Sequence, residues 1–282
     1  MTILLEAFSG IGRAFGLGAA IALGAMALEF LASLANDEKT HDAGESLASF
    51  AIAFIRKGLG LLTAGAVALP LFWLYQFRLF DIPSDSLPWL AAAFVLTDFC
   101  YYWHHYAMHK IRLLWATHNV HHSPTKMNLT AAIRLGIGGQ FTGGLIFYSP
   151  LILIGFHPLV VITMIAAGLF YQLFIHPAKA PNLGPLEYIL NTPRHHQVHH
   201  ASNETCLDKN FGGVFIVFDR VFGTFAEAPR NEPLKFGLVG REPTNNPLSL
   251  LFREWAAIMR DLFKARSLRQ GWRALFSMKA GH

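Results

Sequence analysis

The chain carries 14 histidines, and twelve of them lie between His104 and His200. Most fall into three tight groups: His105-Tyr-Ala-Met-His109, His118-Asn-Val-His121-His122 and His196-Gln-Val-His199-His200. On a helix, positions i, i+3 and i+4 share a face, so each group can aim two or three imidazoles at one point. Neutral imidazole is a ligand for iron, copper, zinc and nickel. Eight clustered imidazoles exceed the three or four protein ligands of an ordinary single-metal site, so the count points to two metals with about four or five ligands each.

The carboxylates narrow the chemistry. Between Phe99 and Asn203 the only acidic residue is Glu187. A ferritin-like di-iron bundle uses Glu ligands and Glu-x-x-His pairs, and neither is present. The HExxH pattern of zinc proteases is absent as well, and a single haem with two axial histidines leaves most of the imidazoles unused. Cys100 and Cys206 show no CxxC or paired spacing and read as unbridged structural thiols. The pattern requires a site rich in histidine and nearly free of carboxylate.

The elements that position these groups belong to a membrane protein. Residues of the AVILMFWYC set make up 53% of the 282 residues and charged residues 15%, against about 25% charged in soluble chains. That excludes a disordered chain, a coiled coil and a disulfide scaffold. The net charge of +5 fits anionic lipid or positive-inside topology rather than nucleic acid. Five apolar stretches approach the roughly 20 residues of a membrane span: 14–35, 58–77, 87–108, 135–156 and 158–175. The first is read as a retained span rather than a signal peptide. The last two should form a hairpin, and the glycines from Gly136 to Gly144 should let helices approach closely. With the N-terminus outside, 21 of the 23 Lys and Arg fall on the inner side. All three histidine groups fall there too, as does the polar segment that follows Pro177.

The three groups resemble the histidine boxes of the fatty acid hydroxylase/sterol desaturase superfamily of membrane non-haem di-iron enzymes. Flanking residues extend the likeness: Asp98-Phe-Cys-Tyr-Tyr-Trp103 before the first box, Leu114-Trp-Ala-Thr before the second, and Ser123-Pro-Thr-Lys-Met-Asn128 after it, reaching Thr130 and Arg134. Phe174-Ile-His176, Leu183-Gly-Pro-Leu-Glu187 and Asn191-Thr-Pro193 precede the third, and Asp208-Lys-Asn-Phe-Gly212-Gly213 through Asp219-Arg-Val-Phe-Gly-Thr224 closes the pattern. The likeness covers about residues 88–245 and is strongest to a bacterial sterol-desaturase-like branch that also resembles alkylglycerol monooxygenase. Where the family often has Arg after the first box histidine, this chain has Tyr106.

The resemblance implies an all-α integral membrane protein of four to five transmembrane helices, with a cytosolic helical cap holding a dimetal site. It implies metal ligands at His105, His109, His118, His121, His122, His196, His199 and His200, with His176 a ninth, and two Fe ions with O2 as co-substrate. The reaction would hydroxylate or desaturate a C–H bond of a lipid such as a sterol or fatty acid. The electrons would come from a separate cytochrome b5-, ferredoxin- or reductase-like donor. Residues 1–46 form an added N-terminal helix and loop, 47–245 the membrane and cap domain, and 246–282 a basic amphipathic C-terminal helix. The expected location is a bacterial inner membrane, with the metal site and C-terminus facing the cytoplasm.

Asp98 and His195 are expected behind the ligands, Asp98 accepting a proton from a ligand ring in preference to pairing with Lys110 or Arg112. His104, His157, His41 and His282 are read as packing or surface residues, and Asn128 and Asn191 as hydrogen-bond donors or loop caps. Glu29, inside an apolar span, has no evident partner. The competing class is a non-redox membrane metalloprotein, either a zinc-dependent lipid hydrolase or a metal transporter. Transporters place ligands near the bilayer midplane, whereas these boxes fall at or beyond the inner ends of the spans.

Overall fold

The computed structural model describes residues 2–139 and 141–278. Lys279 and His282 lie outside them. The described chain is helical and holds no strand, with isolated antiparallel bridges pairing Leu190 with Phe215 and Ala201 with Phe236.

Helices α1 (Thr2–Ala35) and α2 (Ala43–Tyr75) form an N-terminal pair. Gly16–Ala35 and Ala43–Tyr75 are long and apolar enough to cross a membrane. Helix α2 leaves Phe54, Leu61, Leu62 and Leu69 bare, a surface that water would not tolerate at this extent. Asp42 starts α2 by accepting from the Glu45 N–H. Helix α3 (Leu87–Lys110) is apolar in its first half and carries Asp98, His105 and His109 in its second. Extended backbone at Ile111 separates it from α4 (Arg112–His118).

The stretch 135–156 is not the single span expected from its composition. After the short α5 (Leu129–Ala132), the chain runs through turns, a 3-10 turn over Gly144–Phe147 and a six-residue α6 (Ser149–Ile154). Glycine overrides hydrophobicity here. Gly138 and Gly143 adopt φ of 93° and 88°, which ordinary residues avoid. Gly144 does let its 3-10 turn press on α3, where a Cβ would stand 2.7 Å from His104 Nε2. A Cβ at Gly136 would stand 2.0 Å from the Thr117 carbonyl, so the loop lies directly on the end of α4. Gly155, at φ 132°, turns α6 into α7 (Pro158–Leu173), which packs along α3 and gives the expected tight reversal.

The polar half contains α8 (Pro193–His200), α9 (Val217–Phe222), α10 (Pro247–Lys264) and α11 (Leu268–Phe276). The C-terminal segment is therefore two helices, broken at Ala265–Ser267, where Ser267 caps α11. Helix α10 buries Leu250, Leu251, Glu254 and Ile258 and exposes Phe252, Met259 and Phe263. Its seat is ionic as well as apolar. Fully buried Arg112 donates to Glu254 (2.9 Å), to Asp261 (2.6 Å) and to the Ala274 carbonyl (3.1 Å), and Arg241 also donates to Glu254. These bonds fasten α4, which ends on His118, to α10 and α11.

Buried side chains bolt the C-terminal end of α1 and the N-terminal end of α2 to the segments that follow the second box and α7. Glu45 on α2 accepts from the backbone of Thr125 and Lys126 and from the Thr125 hydroxyl. Buried Arg134 donates to the Glu45 carbonyl, Ser49 and Ser123. Glu29 gains a role that its neighbours in sequence do not disclose. Its two oxygens accept the N–H groups of Leu129 (2.7 Å) and Ala178 (2.8 Å), tying α1 to the segments that follow the second box and His176.

Removing a partner from a buried donor costs about 1–3 kcal/mol. Glu29→Ala should therefore lower the thermal midpoint of the detergent-solubilised protein, and Glu29→Gln, which keeps one acceptor oxygen, should fall between it and the parent. Equal midpoints for all three would show that Glu29 holds nothing.

Candidate metal centre

The folded chain gathers nine buried imidazoles into two sets. His105, His109, His118, His122 and His199 form one, and His121, His176, His196 and His200 the other; within each set the ligand-capable nitrogens lie within 4.8 Å of one another. The spacing explains the partition. Every i, i+4 pair stays together (105/109, 118/122, 196/200), whereas His121 and His199, the middle histidine (i+3) of each HxxHH box, cross to the opposite set. The second box is helical only as far as His118, and a turn over residues 119–122 carries the rest. Helix α8 carries the third box whole, behind a Thr192 N-cap and Pro193.

The Nε2 atoms converge. His118 Nε2 lies 2.8 Å from His105 Nε2 and 3.1 Å from His122 Nε2. In the smaller set the four Nε2 atoms close a ring with sides of 3.2 Å (121–176), 2.9 Å (176–196), 3.1 Å (196–200) and 3.1 Å (200–121). Two ligands at right angles, each about 2.1 Å from one ion, stand about 3.0 Å apart. Hydrogen bonds alone cannot satisfy the two sets, because a neutral imidazole has one N–H and several across them are committed elsewhere. His176 Nδ1 meets the Gln172 carbonyl at 2.6 Å, His105 Nδ1 the Phe211 carbonyl at 2.8 Å, and His199 Nδ1 the Lys209 carbonyl at 2.7 Å. His109 Nδ1 faces an Asp208 oxygen at 3.5 Å. With the proton on Nδ1, each Nε2 lone pair points inward. His109 Nε2 and His199 Nε2 are buried with no partner. The donor set therefore fits two first-row transition ions, and inward lone pairs without protons are what such ions neutralise.

The electrostatics agree. Burial, and then repulsion from neighbouring imidazoles, pushes His118, His122, His196 and His200 well below the ordinary histidine range. Burial takes His176 down to about 4. Burial alone would raise the Asp208 carboxyl, but bonding from His109 and Lys110 holds it down at about 2.

The residues expected behind the ligands serve other contacts. Asp98 does not accept from a ligand ring, nor does it pair with Lys110 or Arg112. Its oxygens take the N–H groups of Val214 and Phe215, each at 2.9 Å, because the 212–215 loop folds over α3 so closely that a Cβ at Gly213 would strike Asp98. Lys110 pairs with Asp208 instead. His195 belongs to neither set; its Nδ1 closes a capping box with Thr192 and its ring packs on Phe225. Asn191 donates to the Gly212 carbonyl and Asn128 caps α5. His104 stacks on Phe147, His157 caps α7, His41 sits beside Glu29, and Tyr106 packs on Phe211.

The groups that sequence reasoning missed are the acceptors at Gln172, Lys209 and Phe211, together with Asp208. Backbone carbonyls leave no residue signature. The segment that bears three of the four is nonetheless fixed by legible side chains. Asn210 bonds both ways with Ala226 and donates to the His195 carbonyl. Asp219 accepts the N–H groups of Phe211 and Gly212, each at 2.7 Å.

Two measurements follow from this geometry. His200→Ala should cut transition-metal content from about two ions per chain to about one, because it strips only the four-histidine set. Metal-free protein should lose thermal stability as the pH falls below about 6.5. The unfolded chain takes up protons there, whereas the folded rings, with depressed pKa values, do not. A midpoint unchanged between pH 7.5 and 5.5 would contradict the burial described.

Residues 90–224 match a family model described as fatty acid hydroxylase. Among curated proteins, the chain is 44% identical over 184 residues to the alkylglycerol monooxygenase of Homo sapiens, covering 65% of this chain and 40% of that protein. It is 45% identical over 163 residues to the Danio rerio alkylglycerol monooxygenase, covering 58% and 36%. It is 30% identical over 148 residues to the ornithine lipid hydroxylase OlsE of Rhizobium tropici, covering 52% and 44%. The matches span about two fifths of the length of these relatives. No solved structure matches.

Proposed function

We propose, from the match of residues 90–224 to the fatty acid hydroxylase family, that the protein is a membrane-bound, O2-dependent di-iron lipid hydroxylase or desaturase. The observation that carries the proposal is the pair of buried histidine sets, five and four imidazoles with inward-facing Nε2 atoms. Imidazole donors suit iron among the first-row transition ions. The similarity to alkylglycerol monooxygenases and an ornithine lipid hydroxylase supports a lipid substrate.

When bound, two irons supply the redox chemistry that couples O2 to an unactivated C–H bond. Hydroxylation consumes one O2, two electrons and two protons per alcohol and releases one water; desaturation consumes the same and releases two. The electrons come from a separate donor of the cytochrome b5, ferredoxin or reductase type.

The chain's own part is to hold, orient and exclude. The nine imidazoles bind, and the acceptors on Nδ1 of His105, His109, His176 and His199 fix their tautomer and ring plane. Phe211 and Trp115 pack against the rings of the five-histidine set and keep bulk water out. A cavity of about 40 Å³ beside His109, His122, His199 and His200 opens this set towards the polar half, an inlet for small molecules only. Helices α1, α2, α3 and α7, with α6, lie in the bilayer, and the histidines sit at its cytoplasmic edge beneath a cap formed by α8 to α11. The lipid chain approaches along the α3–α7 seam, where Phe94, Met164, Ile165 and Gly168 line a narrow crevice with Tyr101, whose ring packs on His105. The bare Phe252, Met259, Phe263, Leu268 and Trp272 of α10 and α11, set among arginines, rest in the headgroup layer.

Protein purified from cells grown on iron-57 should show about two coupled irons per chain by Mössbauer spectroscopy. Its membranes should yield a lipid product that carries oxygen-18 from labelled O2, or a new double bond, and His121→Ala and His199→Ala should abolish it. Zinc alone, with no O2-dependent product after iron loading, would replace this reading with that of a lipid hydrolase or a transporter.

A further inference from the structure

The two histidine sets are backed unequally. The four-histidine set is backed by backbone carbonyls alone, that of Gln172 on His176 and that of Arg134 at His121, and His196 Nδ1 is buried without a partner. The five-histidine set is backed by one four-residue segment, 208–211, which offers Asp208 to His109, the Lys209 carbonyl to His199 and the Phe211 carbonyl to His105. That segment is held in an uncommon shape. Asp208 and Asn210 adopt φ of 58° and 56°, left-handed values that Asp and Asn tolerate better than most residues. The alternation turns the Lys209 carbonyl and the Asp208 side chain towards the same set. The side chains of Asn210 and Asp219 hold the shape from behind.

A full negative charge thus stands behind one set alone. Asp208 contacts His109 and Lys110, at the end of α3, and its charge also reaches His199 of the same set. Lys110 is half-exposed and shares the carboxylate with His109. A carboxylate on the outer nitrogen of a ligating imidazole raises the ring's basicity and strengthens its bond to the metal, and a cation on that carboxylate draws the effect back.

Resting on the di-iron reading above, we propose that Asp208 is a positioning residue that makes the two metal sites inequivalent. Acting through His109, it renders the five-histidine site the tighter and more electron-rich, and Lys110 opposes it. The four-histidine site, without such a charge, is the one that gives up its ion first.

The test uses full-length, iron-loaded protein in detergent and three variants. Asn keeps the left-handed backbone and an acceptor oxygen, so Asp208→Asn removes the charge without disturbing the loop. Asp208→Glu restores the charge, and Lys110→Met removes the counter-charge from an exposed position. Two quantities are read: iron retained per chain against rising chelator, and the midpoint of an EPR-monitored redox titration of the mixed-valence state. The parent should lose its irons in two steps. In Asp208→Asn the later step should move to about 10–100-fold lower chelator while the earlier step stays in place. The redox midpoint should rise in Asp208→Asn, fall in Lys110→Met, and lie nearer the parent in Asp208→Glu. A merely structural role would not shift the midpoint in opposite directions for the two charge changes. Parent-like release in Asp208→Asn, or midpoints that move the same way in Asp208→Asn and Lys110→Met, would overturn the proposal. A parent chain that never holds two irons would overturn the di-iron reading, and this inference with it.

Discussion

An imidazole has two nitrogens, and when one must present a lone pair to the interior the other must give its proton to something. That requirement organises the inner half of this protein. Nine rings are gathered in two sets, and the structure around them supplies acceptors to the outer nitrogens of four, at the end of α7 and along the 208–211 segment with its one carboxylate. The inward lone pairs repel one another and cannot be solvated, so the backbone that carries them must be clamped independently. The bonds of Arg112 to α10 and α11, of Glu45 and Arg134 around the second box, and of Asp98 and Asp219 around the 211–215 loop are those clamps. Each spends a buried charge on backbone or ionic partners that converge on a histidine-bearing segment.

The ligand constellation could be read in the sequence because it is a matter of residue type and period. Three boxes, the scarcity of carboxylate and the outlying His176 are enough to expect two metals. The sorting of rings between metals was not so plain, since helical periodicity alone places i, i+3 and i+4 on one face. The fold splits them because two centres lie side by side and a helix facing both gives its i, i+4 pair to one and its i+3 member to the other. The second box does the same from a turn, which periodicity does not anticipate.

Elsewhere the sequence misled where composition and conformation conflict. Residues 135–156 are apolar enough to suggest a span, yet Gly138 and Gly143 take backbone conformations closed to other residues, and Gly136 must fit against Thr117. Asp98 looked like a proton acceptor for a ligand because it precedes the first box, but its distance in sequence from Val214 hid its true partners. Glu29 was opaque for the same reason, its two partners lying 100 and 149 residues away. Long-range bonds from side chain to backbone leave no local trace.

The crossing of His121 and His199 bears on how such a centre can come into being. Because the turn over residues 119–122 and helix α8 each serve both sets, neither set can be assembled while the other is left slack. An ion bound in one set would steady the backbone on which the other set is displayed, so the two sites, unequal in strength, would not be fully independent receptors. The same coupling restricts descent. A lineage that erodes a whole HxxHH box would weaken both sites at once, since each such box carries ligands of both sets.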